Sequence, residues 1–418
     1  MSWIIGVMHK NSYCVSDFGA TGDGQTLDTP SVQAAIDACH AAGGGLEFVG
    51  PGNYLCTTVR LKSGVTLQLA EGSRLVGSTE VTAYSAPTSA NGNWNRGLLV
   101  IEDAADVAVV GPGVIDGAHA FDPTGEEQMR GPHTVVLSRS TGVRFENLRI
   151  ENAANYAILA YHTDHLTMRN CVFTGGWDGV HVRGSKDRPC KHVSITSCEF
   201  YTGDDAIAGW YWEDFVVSNC VINSSCNGIR VIGPANGLLV HDVLFYGPGR
   251  HPHRTNGTRT NMLVGILIQP GAWDVTVGHT DEVLISNVTM RNVTAALAVF
   301  TKPGNTVGRI VAERVSAYGV THAPCSFESW AESPIEHVTL RDVHVEYAPQ
   351  AVMEIPCAGA TEPRHETRPL PAWGVYARRV NDLLLDRVTM RTHANESRPP
   401  VTFETGGAVR EVECRFDK

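Results

Sequence analysis

"LTMRNCVFTGGWDGVHVRG", residues 166–184, and "VSITSCEFYTGDDAIAGW", residues 193–210, are two copies of one pattern. Each begins with two alternating apolar residues, passes a polar pair, reaches a cysteine, and resumes the alternation. The pattern appears first as "VRFENLRI" and continues as "FVVSNCVI", "LLVHDVLF", "VLISNVTM", "IVAERVSA", "VTLRDVHV" and "LLLDRVTM". Leu148, Cys171, Cys198, Cys220, Val243, Val288, Val315, Val343 and Val388 share the slot after the polar pair. The intervals are 23, 27, 22 and 23 residues, then 45, 27, 28 and 45, where insertions lengthen the turns.

Strand-type alternation at a period of 20 to 30 residues, rich in Gly and Asn turns, is the pattern of a solenoid whose coils each add short strands to parallel sheets. The expected fold is all-β, a right-handed parallel β-helix. A leucine-rich repeat shares the period but needs a leucine and asparagine ladder that the chain lacks. Neighbouring coils stack about 4.8 Å apart, so like residues form ladders. Cys171, Cys198 and Cys220 are expected in one such ladder, pointing inward.

The open first end of a solenoid needs a cap. "LDTPSVQAAIDACHAAGGG" predicts a helix there, with Thr29 as its cap and Pro30 in the first turn. Val32, Ala35, Ile36 and Cys39 make an apolar stripe, and Gly43 to Gly45 end the helix. Residues 13–60 are read as cap and first coil, 60–400 as stacked coils and 400–418 as the closing end. The whole chain, 1–418, is thus expected to be a single β-helix domain.

Composition limits the partners. The 418 residues carry a formal net charge of -11 with scattered Lys and Arg, which argues against nucleic acid. No apolar run approaches the ~20 residues of a membrane span. The opening "MSWIIGVMHKNSYC" lacks the apolar core of a secretory signal, so a soluble protein is expected, either a mature secreted form or cytoplasmic. Eleven cysteines without C-x-x-C pairs signal neither a disulfide framework nor a zinc site, and buried free thiols are expected. A monomer or simple homo-oligomer is expected, without cofactor or metal.

Seven residues beyond successive slots stand Asp178, Asp205 and Asn227, and Asp204 precedes Asp205. Three carboxylates should therefore gather on neighbouring coils. Alternation in "DGVHVRG", "DDAIAGW", "NGIRVIG" and "VGILIQP" turns Val180, Val182, Ile207, Ile229 and Val231 inward. One outer wall then presents Asp178, His181, Arg183, Asp204, Asp205, Trp210, Asn227, Arg230, Leu267 and Gln269, with Tyr211 and Trp212 near it. Crowded carboxylates raise each other's pKa, so one keeps its proton while the others stay anionic. An acid beside a base is what glycosidic hydrolysis requires, and the aromatic rings offer faces for sugars. A calcium ion held by the three carboxylates is the alternative. "RHPHR", residues 250–254, reads as a solvated lip over the cleft, and Glu328 and Glu354 as exposed residues on later coils.

At these residues the chain resembles the polygalacturonase family, family 28 of the glycoside hydrolases. "VSDFGATGDGQTLDTPSVQAAIDAC" is similar to the start of pectin-active β-helix enzymes, "GWDGVHV" to the family's N-T-D-G segment, and "TGDDAIA" to its G-D-D segment. "SPIEHVTLRDVHVEY" is similar to its later coils. The resemblance implies a hydrolase of pectin-like or other polysaccharides, with Asp204 as general acid, Asp178 and Asp205 holding and deprotonating water, and inversion at the anomeric carbon. Two departures stand out. "CNGI" places Asn227 where the family has a histidine assisting the acid, and "LIQ" places Leu267 and Gln269 where a basic pair grips galacturonate. Arg183 and Arg230 are basic groups on the same wall that could hold a uronate carboxylate instead. A lyase or transferase using Arg230 or His181 as base, and a non-catalytic carbohydrate-binding protein, are the competing readings.

Overall fold

The computed structural model describes residues 12–90, 92–274, 276–349, 370–404 and 406–418. Two compact units comprise residues 1–174 and 175–418.

In the first unit the chain runs strand after parallel strand around three faces. One face carries Val59–Leu61, Gly97–Glu102, His133–Ser138 and Ile158–Tyr161. A second carries Val65–Leu69, Ala105–Val110, Thr141–Glu146 and Asp164–Arg169. The third carries Gly52–Cys56, Ser73–Gly77, Val114–Asp116, Arg149–Glu151 and Val172–Thr174. A helix, Thr29–Ala41, precedes these coils and buries Val32, Ala35, Ile36 and Cys39, the expected stripe. Its cap differs from expectation: Asp28 is the N-cap residue, and its carboxylate accepts the Thr21 and Gly22 backbone N–H groups rather than closing the helix. Thr29 lies inside the helix, and its Oγ1 accepts the N–H of Thr57 instead.

The second unit repeats the plan. Its first sheet stacks Val180–Arg183, Ile207–Trp210, Asn227–Val231, Met262–Ile268, Val293–Thr301, Ala323–Ser329, Val375–Arg378 and Val401–Glu404, all parallel. A second sheet runs from Cys190–Thr196 through Trp212–Ser218, Ala235–Tyr246 and Val283–Arg291 to Arg309–Val320, Ile335–Tyr347, Val380–Thr392 and Ala408–Val412.

The repeat slot is the structural register. Val243 faces Val288, which faces Val315, Val343 and Val388 in turn. All nine slot residues are buried, including Cys171, Cys198 and Cys220. The residue before each slot explains the polar pair. Asn147, Asn170, Ser197, Asn219, Asp242, Asn287, Arg314, Asp342 and Arg387 all have φ between 51° and 57°. This is the left-handed bend joining two strands of a coil, a conformation that Asn and Asp tolerate best among residues with a side chain.

The described cysteines form no disulfide, and all but Cys14 and Cys414 are buried. No helix among the described residues is long and apolar enough to cross a membrane. Glu328 departs from expectation: it is fully buried and accepts the Trp330 indole N–H at 2.9 Å. Glu354 lies outside the described residues.

The bend gives a direct test. Asn219, at φ 52° and exposed, should tolerate Gly, whereas Asn219→Val forces a β-branched residue into the left-handed region. The expected loss is about 1–2 kcal/mol, measured by urea denaturation of the two variants side by side.

Candidate active site

In the second unit, in-register pairing sets Val180 beside Ile207 and Ile207 beside Ile229, facing the core. His181, Ala208, Arg230 and Leu267 form the adjoining outward column. The turns that precede these strands carry the carboxylates. The Gly179 N–H donates to the Asp205 carbonyl and the Ala206 N–H to the Asn227 carbonyl, so the three turns stack one coil apart. Asp178, Asp204 and Asp205 each present a carboxylate oxygen, and these oxygens lie within 4.8 Å of one another. Gly203 makes this possible, because a Cβ there would lie 2.5 Å from the Gly176 carbonyl oxygen.

The three carboxylates differ in surroundings. Asp205 is 3% exposed; its Oδ1 accepts both the backbone N–H (3.0 Å) and the side-chain amide (2.7 Å) of Asn227, and its Oδ2 lies 3.6 Å from Arg230. Burial pushes its pKa up, the Asp204 charge adds to this, and Arg230 and the Asn227 donors oppose it. Asp178 is 4% exposed and bonded through Oδ2 to His181 Nδ1 at 2.7 Å. Asp204 is the accessible member, with its side chain 16% exposed and its Oδ1 accepting the Asp205 backbone N–H at 3.1 Å.

Around them the wall forms as expected, with corrections. The Arg183 guanidinium lies 4.5 Å over the Trp210 ring, and Trp210 meets His181 edge-on at 5.4 Å. Arg230 bonds Gln269 at 3.1 Å. His181 faces outward but is fully covered, so it supports Asp178 rather than meeting solvent. Leu267 is likewise outward yet buried, packed with Cys226, Leu263 and Tyr376. Trp212 is not a wall residue: it is 2% exposed, stacks on Phe215 at 4.1 Å and donates its indole N–H to the Val182 carbonyl. The alternation fails there because Tyr211 adopts φ 54° and starts a new strand, which resets which side chains face in.

Two residues escaped the sequence reading. Trp273 sits at φ 58°, 53% exposed, with Arg230 4.6 Å over its ring. The same left-handed conformation recurs at the coil bends, so it is the exposure of the ring and its contact with Arg230 that place Trp273 beside the site. His253 of the "RHPHR" insertion places its Nε2 3.7 Å from Asp204 Oδ1 with only 15% of its side chain exposed, so this residue reaches the site while Arg250, Pro252 and residues 254–258 stay exposed, as expected of a lip. Its sequence signal was a pair of histidines in a turn longer than its neighbours. Among the described residues, two sets of groups have the spacing to hold a cation: the three aspartates, a hard all-oxygen set, and Asp204 with Cys226 and His253.

Comparison with known proteins bears on the fold. A family model described as a right-handed beta helix region matches residues 133–250, and the class is that of right-handed parallel β-helices. An exopolygalacturonase from Thermotoga maritima shares the fold with a TM-score of 0.68 over 91% of each chain at 16% identity. A probable polygalacturonase of Vitis vinifera is 24% identical over 220 residues, 48% of this chain and 45% of that protein. The mannuronan C5-epimerase AlgE5 of Azotobacter vinelandii is 42% identical over 294 residues, 65% of this chain and 24% of that protein. The chain spans less than two thirds of the length of these curated relatives. It is similar to polygalacturonases at modest identity over part of its length.

The burial of Asp205 has a consequence for stability. A carboxyl whose folded pKa is raised contributes its full stability below the unfolded value and loses it as pH rises through the folded value. Asp205→Asn removes that loss, so the variant's melting temperature should gain on the parent's as pH is raised from about 4 towards 7, measured by calorimetry. An unchanged difference across that range would contradict the assignment.

Proposed function

We propose that this protein is a glycoside hydrolase that cleaves a uronate-containing polysaccharide, or an oligosaccharide from it, by direct attack of water with inversion. The observation that carries this reading is the inequality of the three clustered aspartates. Asp204 alone reaches the surface, where a general acid must meet the leaving oxygen. Asp178 and Asp205 lie beneath it, each oriented by a neighbour, His181 or Asn227. Two carboxylates so anchored are suited to holding and deprotonating a water, not to reaching the anomeric carbon as a nucleophile. Their oxygens lie within 4.8 Å of one another, nearer the ~5–5.5 Å of retaining pairs than the ~6.5–9.5 Å of inverting ones, so inversion rests here on the anchoring of Asp178 and Asp205 and not on the spacing.

The uronate assignment rests on cations. Arg230 bonds Gln269 on the wall and covers Trp273, and Arg183 covers Trp210. A guanidinium binds a carboxylate through two parallel hydrogen bonds, and an aromatic face beside it packs the sugar ring. The polygalacturonase and mannuronan epimerase relatives are named for uronic acid polymers, which agrees with a carboxylate-reading wall built from different positions.

A second reading, removal of the proton beside a uronate carboxylate in a lyase or epimerase, is favoured by the Asp178–His181 pair and by the epimerase relative. The complete burial of His181 against Trp210 weighs against it as a base. The discriminating experiment screens pectic, alginate-type and neutral glycans for new reducing ends while following ultraviolet absorbance of an unsaturated uronate. Reducing ends without absorbance, lowered at least ~100-fold by Asp204→Asn, are expected. An absorbing product would move the chemistry to elimination.

The wall makes a second prediction. Arg230→Ala should raise KM for an anionic glycan about tenfold or more while leaving KM for a neutral analogue little changed, with kcat falling on both because Arg230 also offsets the charge of Asp205, read from initial rates on the two substrates.

A further inference from the structure

The insertion between Ala235–Tyr246 and Met262–Ile268 is built onto the Asp204 turn. It closes on itself through Gly249 N–H to the Thr260 carbonyl, His253 N–H to the Arg259 carbonyl and Gly257 N–H to the His253 carbonyl, each 2.7 Å. The floor pins it: the Asn223 amide donates to the Pro248 carbonyl and accepts the Arg250 N–H, both at 2.8 Å, and Ser225 Oγ donates to the His251 carbonyl. At its tip the Arg254 N–H donates to the Gly203 carbonyl at 3.2 Å, one residue before Asp204. A Cβ at Gly203 would meet Arg254 and Pro252 at 2.9 Å, so this approach needs the glycine.

The loop also sets the tautomer of its histidine. The Asn256 backbone N–H donates to His253 Nδ1 at 3.2 Å. In the neutral ring that bond consumes the Nδ1 lone pair and leaves the proton on Nε2, the atom that faces Asp204 Oδ1 at 3.7 Å. From this geometry we infer that His253 is a positioning residue for Asp204: its Nε2–H fixes Oδ1 as the acceptor side of the carboxyl, orients the proton on Oδ2 and stabilises the carboxylate left after transfer. The inference rests on the hydrolase reading and adds to it a second-element contribution from the insertion. The 3.7 Å separation is longer than a hydrogen bond, and the inference requires it to shorten in the substrate complex, as catalytic hydrogen bonds commonly do. The same atom cannot serve both as an Nε2–H donor and as a metal ligand, so the tautomer separates this role from the alternative set of Asp204, Cys226 and His253.

The test compares wild type, His253→Ala and His253→Gln on the glycan the wild type cleaves, and records long-range proton–nitrogen spectra of the uncomplexed protein. The expected result for His253→Ala is a kcat about ten- to a hundredfold lower with KM unchanged. Losing a donor that favours the carboxylate should also move the alkaline limb of the pH profile to higher pH, and His253→Gln, which keeps an N–H, should restore most of kcat. In the spectra, the His253 proton should sit on Nε2 and Asp204→Asn should move that resonance. A kcat within twofold of wild type with an unmoved limb would overturn the inference, as would a proton on Nδ1, which would instead fit the metal-type set. If the wild type cleaves no glycan while the spectra show the Nε2 proton coupled to Asp204, the pairing stands and it is the hydrolase reading that fails.

Discussion

Parallel in-register stacking places a given position of one coil about 4.8 Å from the same position of the next, and the candidate site depends on that spacing. Two aspartates seven residues beyond successive slots cannot avoid each other once the coils stack. The Asp204–Asp205 dipeptide then brings a third carboxylate to the same place, and the oxygens converge within 4.8 Å. Like charges so close oppose folding, so the surroundings must compensate. Arg230 and the two Asn227 donors do this at Asp205, and His181 does it at Asp178. Asp204 is left with the most solvent. The proposed division of roles follows from which carboxylate each coil can cover.

The same spacing governs the positions where the resemblance leads one to expect a basic pair. Leu267 and Gln269 stand one coil beyond Arg230 on the same wall, and Leu267 is buried under Leu263 and Tyr376. A cation at Leu267 would be desolvated there. Arg230, one coil back, bonds Gln269 and has the Trp273 ring beneath it. His253 approaches Asp204 from the insertion, whereas Asn227 holds the coil position beside Asp205.

What the sequence disclosed followed from periodicity. The slot from Leu148 to Val388 was readable because one bend per coil fixes a polar residue before a buried apolar one, and the structure shows that bend as a left-handed residue each time. The convergence of Asp178, Asp204 and Asp205 was readable by counting. Trp212 was misplaced because a period of two does not survive the bend at Tyr211. His253 and Trp273 were hidden because they lie in insertions, where no neighbouring coil supplies a register. The Asn256 bond that orients His253 depends on a turn closing around its own side chains, and the burial of Leu267 and Glu328 depends on what later segments cover.

The most direct test of the account follows the anomeric configuration of the first sugar released, by proton NMR during the earliest turnover of a defined oligouronide. Two buried, anchored carboxylates serving a water beside an accessible Asp204 predict a product of inverted configuration. Retained configuration would mean that one of the carboxylates reaches the anomeric carbon, and would contradict the assignment of roles within the trio.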